Sequence, residues 1–104
     1  MAWVYLLLAG ILEIVWAFAM KQSDGFTRLV PTAITLVTMI GSFALLSISM
    51  RTLPLGTAYT VWTGIGAVGA FLVGIAVLGE LVSPMRVAAA MLIVSGLVLM
   101  KISN

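Results

Sequence analysis

The chain contains no cysteine and no histidine. Disulfides are therefore excluded, as are thiolate and imidazole metal sites and every nucleophile–base pair that needs His or Cys. Charge is scarce too: five basic and three acidic residues make up 8% of the chain and give a formal net charge of +2. A soluble domain is roughly a quarter charged, so this chain has too little polar surface to cover itself. Its few cations are too scattered for a nucleic-acid face. No nucleotide-binding loop is present, because the glycines at 64, 66 and 69 lack a GK[ST] ending and follow no strand. Lys21 and Lys101 stand at the ends of apolar runs, where solvation disfavours a Ser–Lys or Thr–Lys pair. These absences argue against an enzyme and against any cofactor. Nor does the N-terminus read as a removable signal peptide, since no basic region precedes the first apolar run and no clear small-residue cleavage site follows it.

What remains is apolar. The chain is 63% hydrophobic, with mean hydropathy +1.30, a composition that belongs in a lipid bilayer. The charged residues act as punctuation: Lys21, Asp24 and Arg28 in KQSDGFTR, Arg51 with Pro54 in MRTLPLG, Glu80, Pro84 and Arg86 in GELVSPMR, and Lys101 near the end. Between them lie four apolar runs, at about 3–20, 29–50, 55–78 and 85–102. A helix needs ~17–25 residues to cross the hydrocarbon core. The first three runs fit, and the fourth spans if Arg86 and Lys101 snorkel at its ends. The runs are too long for strands and lack alternation of period two. The expected fold is all-α: one domain, 1–104, of four short-looped transmembrane helices with both termini on the same side.

Orientation is weakly specified. Arg51, Lys101 and the amino terminus mark one side, and Lys21, Arg28 and Arg86 the other. A side-chain count of two against three barely engages the positive-inside rule. It fits either a slight preference for one orientation or dual topology, in which copies insert both ways and pair antiparallel. Four helices also leave little interior for a polar path, which favours an oligomer. Ala88, Ala89, Ala90, Ser95 and Gly96 of the fourth run are small enough for close helix contact, either between copies or within one.

One residue breaks the pattern. Glu13 lies near the middle of WVYLLLAGILEIVWAFAM. An acid at mid-membrane depth costs roughly 2.5–3.5 kcal/mol on insertion scales for the comparable Asp, and such acids usually serve function. The alternative is a structural acid hydrogen-bonded to a hydroxyl. Helical spacing places Gly10, Trp16 and Ala17 beside Glu13. Gly10 is expected to leave room beside the carboxylate. Trp16 offers an aromatic wall that, with the acid, can confine a cation, or else it faces lipid. Trp3 and Tyr5 read as interfacial belt residues. In the third run Tyr59, Trp62, Thr63 and Gly66 share a stripe, and Gly64, Gly66 and Gly69 point to a hinge or a close crossing. In the second run Ser42, with Thr38 one turn before it, is expected either to hydrogen-bond Glu13 or to bond back to its own helix.

The segments LEIVWAFAMKQSDGFTR and LPLGTAYTVWTGIG resemble the small multidrug resistance transporters along essentially the whole chain. The resemblance implies an antiparallel, dual-topology homodimer in the inner (plasma) membrane that exchanges protons for cations at Glu13. Trp16 and GTAYTVWTGIG resemble the guanidinium exporter subtype. Thr60, where Ala is common in that motif, should point away from the Tyr59–Trp62 stripe. Carried over residue by residue, Glu13 becomes the shared proton and substrate site. Ser42 and Trp16 orient it, Tyr59 and Trp62 line the pocket and aid the conformational change, and Gly10 makes space. The expected partners are a second copy, guanidinium or a small related cation, protons and the bilayer, with no nucleic acid. Two other readings stay open: a multidrug exporter of quaternary ammonium cations, and a subunit needing an unlike partner.

Overall fold

The computed structural model describes residues 1–103. It contains four helices: α1 Ala2–Gln22, α2 Leu29–Ser49, α3 Leu55–Ala76 and α4 Pro84–Ser103. All four are long and apolar enough to cross a membrane, and no strand occurs among the described residues. The all-helical, four-span expectation holds, including for the fourth run, which reaches 20 residues once Pro84 and Ser103 join it.

The ends are set by local chemistry. Pro31 lies in the first turn of α2 and Pro84 opens α4, positions where a missing N–H costs nothing. Ser83 precedes α4 and accepts the Arg86 backbone N–H on its Oγ at 3.2 Å. Beyond α3, Gly79 turns the chain at φ 68°, which lets the Glu80 N–H reach back to the Gly74 carbonyl at 3.0 Å. Within α2, Thr32, Thr35 and Thr38 donate to carbonyls one turn earlier and so carry no unpaired hydroxyl into the apolar layer.

The α1–α2 loop is tightly built. Asp24, Gly25 and Phe26 all have positive φ, at 51°, 73° and 68°. Fully buried Ser23 holds this left-handed run together. Its Oγ donates to the Met20 carbonyl at 2.6 Å and accepts the Phe26 N–H at 3.1 Å. Its carbonyl accepts the Thr27 and Arg28 N–H groups.

α1 is the central helix. It packs against α2 on one side and α3 on the other, while α2 and α3 barely meet. α4 leans chiefly on α3 and buries none of its residues. The extents of 40 × 34 × 16 Å describe a thin layer of helices, not a closed bundle. The buried core, Leu6, Ala9, Leu46, Leu53, Ala58, Val61 and Trp62, lies toward the end of the layer where the chain begins. At that end the Lys101 ammonium sits 4.8 Å from the Trp3 ring centroid, tying the tip of α4 to the start of α1. Large apolar side chains remain exposed on every helix, the surface expected of a protein that meets lipid and other helices.

Candidate functional site

α1 and α3 run in the same direction and touch through small residues. Gly66 is buried, and a Cβ added there would overlap the Glu13 carboxyl group. Glu13 therefore lies flat against the α3 backbone in a notch that only glycine leaves open. Gly69 receives Ile14 in the same manner, and Gly64 receives Leu97 from α4. The glycine cluster thus forms a close crossing inside a continuous helix. The space at Gly10 is filled by Ile65. This differs from the sequence expectation for a geometric reason: the register of α1 on α3 sets Ile65 against Gly10 and Gly66 against the carboxyl group.

Within the chain, Glu13 Oε1 is buried without a hydrogen-bond partner, and so is the indole Nε1 of Trp16. Two polar atoms one helical turn apart are thus held out of water with nothing to bind. A buried polar atom left unpaired costs on the order of 1–3 kcal/mol, so natural structures rarely keep one without use.

Ser42 takes a third course beyond the two expected for it. It is fully buried, and its Oγ donates across to the Ala9 carbonyl of α1 at 2.7 Å. It accepts the Trp62 indole N–H at 3.0 Å. One hydroxyl thus joins α1, α2 and α3 one turn before Glu13. It does not bond Glu13, because its proton is already committed to Ala9.

The aromatic residues form a row. Trp16 meets Phe43 edge-on at 6.3 Å, Phe43 meets Trp62 at 5.7 Å, and Tyr59 meets Trp62 at 5.6 Å. Tyr59 and Trp62 therefore share one surface, reaching Trp16 through Phe43. Tyr59 is 53% exposed at the outer end, whereas Trp62 is buried. Tyr59 also borders the groove between α3 and α4, which Thr60, Thr63 and Gly64 line with it. Phe43 was invisible to sequence reasoning, since helical spacing ties no residue of the first or third run to it. Gly66 carried a signal as one of several glycines, but nothing in the chain marked it as the seat of the acid.

No group of three or more acidic residues that could hold a metal occurs among the described residues. The site offers one carboxyl group, two indoles, a phenol and a phenyl ring, a set suited to a small organic cation.

Comparison with known proteins agrees with this chemistry. Residues 1–93 match the family model described as Small Multidrug Resistance protein. The chain is 57% identical over 104 residues to proteins named guanidinium exporter from Citrobacter freundii and Salmonella typhimurium, covering 100% of this chain and 99% of each relative. It is 54% identical, with the same coverage, to the guanidinium exporter of Escherichia coli K12. With its four apolar spans and this match along its length, the chain is a multi-pass inner-membrane protein and belongs to the Small Multidrug Resistance family.

Proposed function

We propose that this protein exports guanidinium and small guanidinyl cations in exchange for protons, with Glu13 binding proton and cation in alternation. The observation that carries the reading is the buried, unpartnered Glu13 oxygen beside an aromatic row. The names of the relatives point to the same cation. Guanidinium is planar, and its N–H edges match a carboxylate with two parallel hydrogen bonds. Trp16 adds a ring face and a free N–H. A proton occupies the same oxygens, so one ligand leaves as the other arrives. That competition couples an inward proton gradient to outward cation flow, and it requires cation affinity to weaken as pH falls.

The working unit in this reading is an antiparallel homodimer. A thin layer with an unburied α4 and a half-exposed aromatic row leaves the site one-sided. A second, inverted copy supplies the other wall and a second Glu13. The two protomers then exchange conformations, which makes the inward- and outward-open states equivalent.

The test is flux in proteoliposomes containing only this chain. Guanidinium transport driven by a pH gradient is expected, and Glu13→Gln is expected to abolish it. Retained gradient-driven transport in that variant overturns the role of Glu13. Transport of a bulky aromatic quaternary ammonium ion instead of guanidinium shifts the substrate class to the multidrug reading. No flux of either cation points to an unlike partner.

A further inference from the structure

A cavity lies beyond the Glu13 notch, toward the C-terminal ends of α1 and α3. From Glu13 the α1 stripe continues through Ala17 to Lys21, and from Gly66 the facing α3 stripe continues through Ala70 to Gly74, about two helical turns in each case. One turn beyond Glu13, at Ala17, lies this cavity of about 320 Å³, whose lining also includes Phe18, Phe71, Lys21, Glu80 and Arg86. Charges of both signs meet at this mouth.

Glu80 has a defined seat there. Gly74 is buried, and a Cβ on it would overlap the Glu80 carboxyl group. The Glu80 N–H is tied to the Gly74 carbonyl at 3.0 Å. A carboxylate at the C-terminal end of a helix faces the negative end of the helix dipole. That placement does not stabilise α3 through its dipole, and Glu80 lines the cavity. Lys21 and Arg86 bring two positive charges to the mouth, and Arg86 already donates from Nη1 to the Leu81 carbonyl at 2.9 Å. Without Glu80, a cation leaving Glu13 would cross a doubly positive opening. With it, one charge is cancelled, and the departing cation meets two acceptor oxygens of the kind it has just left.

We propose that Glu80 is a transit site for the exported cation, at the mouth of the cavity that begins one turn beyond Glu13. The proposal rests on the export reading above and adds a second carboxylate to the route. Guanidinium passes from the half-buried acid to an exposed one, where solvent screening keeps the hold weak and release fast. In an antiparallel pair each membrane face has one such mouth, so the same device serves entry and exit.

The experiment compares wild type, Glu80→Gln and the double variant Glu80→Gln with Arg86→Gln, using the full chain in proteoliposomes. Initial guanidinium flux is measured at low and high salt, and equilibrium guanidinium affinity is measured in detergent. For Glu80→Gln, flux is expected to fall roughly three- to tenfold at low salt, with the deficit narrowing at high salt. Affinity should be unchanged, and removing the Arg86 charge should restore flux. Glu80→Gln flux equal to wild type at low salt overturns the proposal. So does a salt-independent loss that the second substitution does not repair, which would make Glu80 a structural end to α3. A wild-type chain that moves no guanidinium overturns the export reading and this proposal together, whereas a failure confined to the variants leaves export standing.

Discussion

At the scale of single residues, Gly66 and Glu13 form one unit, because a Cβ on Gly66 would overlap the Glu13 carboxyl group. The acid was plain from sequence because it is the one charge near the middle of an apolar run. Its neighbour was not, because glycine is common in membrane helices and seldom announces what it touches. Gly66→Ala places a methyl group where the carboxyl group lies. Overpacking of this kind costs about 1–3 kcal/mol, so guanidinium affinity is expected to fall roughly tenfold or more while helix content is retained. Titration of tryptophan fluorescence with guanidinium, beside circular dichroism, checks both. Unchanged affinity would show that the carboxylate relaxes away without consequence. Ser42 shows the limit of residue-level reading. The chain singles out its hydroxyl but not its partner, because the choice among Glu13, its own helix and Ala9 depends on how two helices cross.

Among the elements, α1 and α2 form the best-fastened pair, and the loop between them is part of the reason. Three successive left-handed residues are unusual where two of them are not glycine, at ~1–2 kcal/mol for each such residue. The buried Ser23 hydroxyl, bonded on both sides, offsets that strain. Ser23→Ala is expected to destabilise the protein by about 1–2 kcal/mol, read as a lower midpoint of thermal unfolding in detergent. An unchanged midpoint would mean that the backbone bonds to the Ser23 carbonyl suffice. α3 presents the opposite case. Its glycines read equally well as a hinge or as a packing surface in the sequence, and the structure uses them to admit Ile14, Leu97 and the Glu13 carboxyl group. α4 is the least committed helix, held by α3 along its length and by Lys101 on Trp3 at its tip. Its exposed small residues suit it to meet another copy.

For the whole molecule, the decisive features are the thinness of the helix layer and the near balance of its charges. A layer 16 Å thick cannot enclose a path by itself, and a chain with two basic side chains on one side and three on the other has little reason to insert only one way. A reporter fused to the C-terminus is therefore expected on both sides of the membrane in comparable amounts. Adding two lysines to a single loop should collapse the signal to one side and, by removing the inverted partner, abolish guanidinium flux. A single orientation for the unmodified chain, with flux intact, would rule out the antiparallel dimer.

The sequence alone determined the solvent, the number of crossings and the presence of one exceptional acid. Those follow from hydropathy, run length and charge, which are properties of segments and need no knowledge of neighbours. Tertiary structure alone decided what the acid touches, which glycine seats it, where Ser42 spends its proton, and that Phe43 links Trp16 to Trp62. Each of these depends on the axial register and rotation of one helix against another. In an apolar medium that register is selected by the close packing of small residues, and several glycines along α3 offer more than one register to a reader of the chain alone.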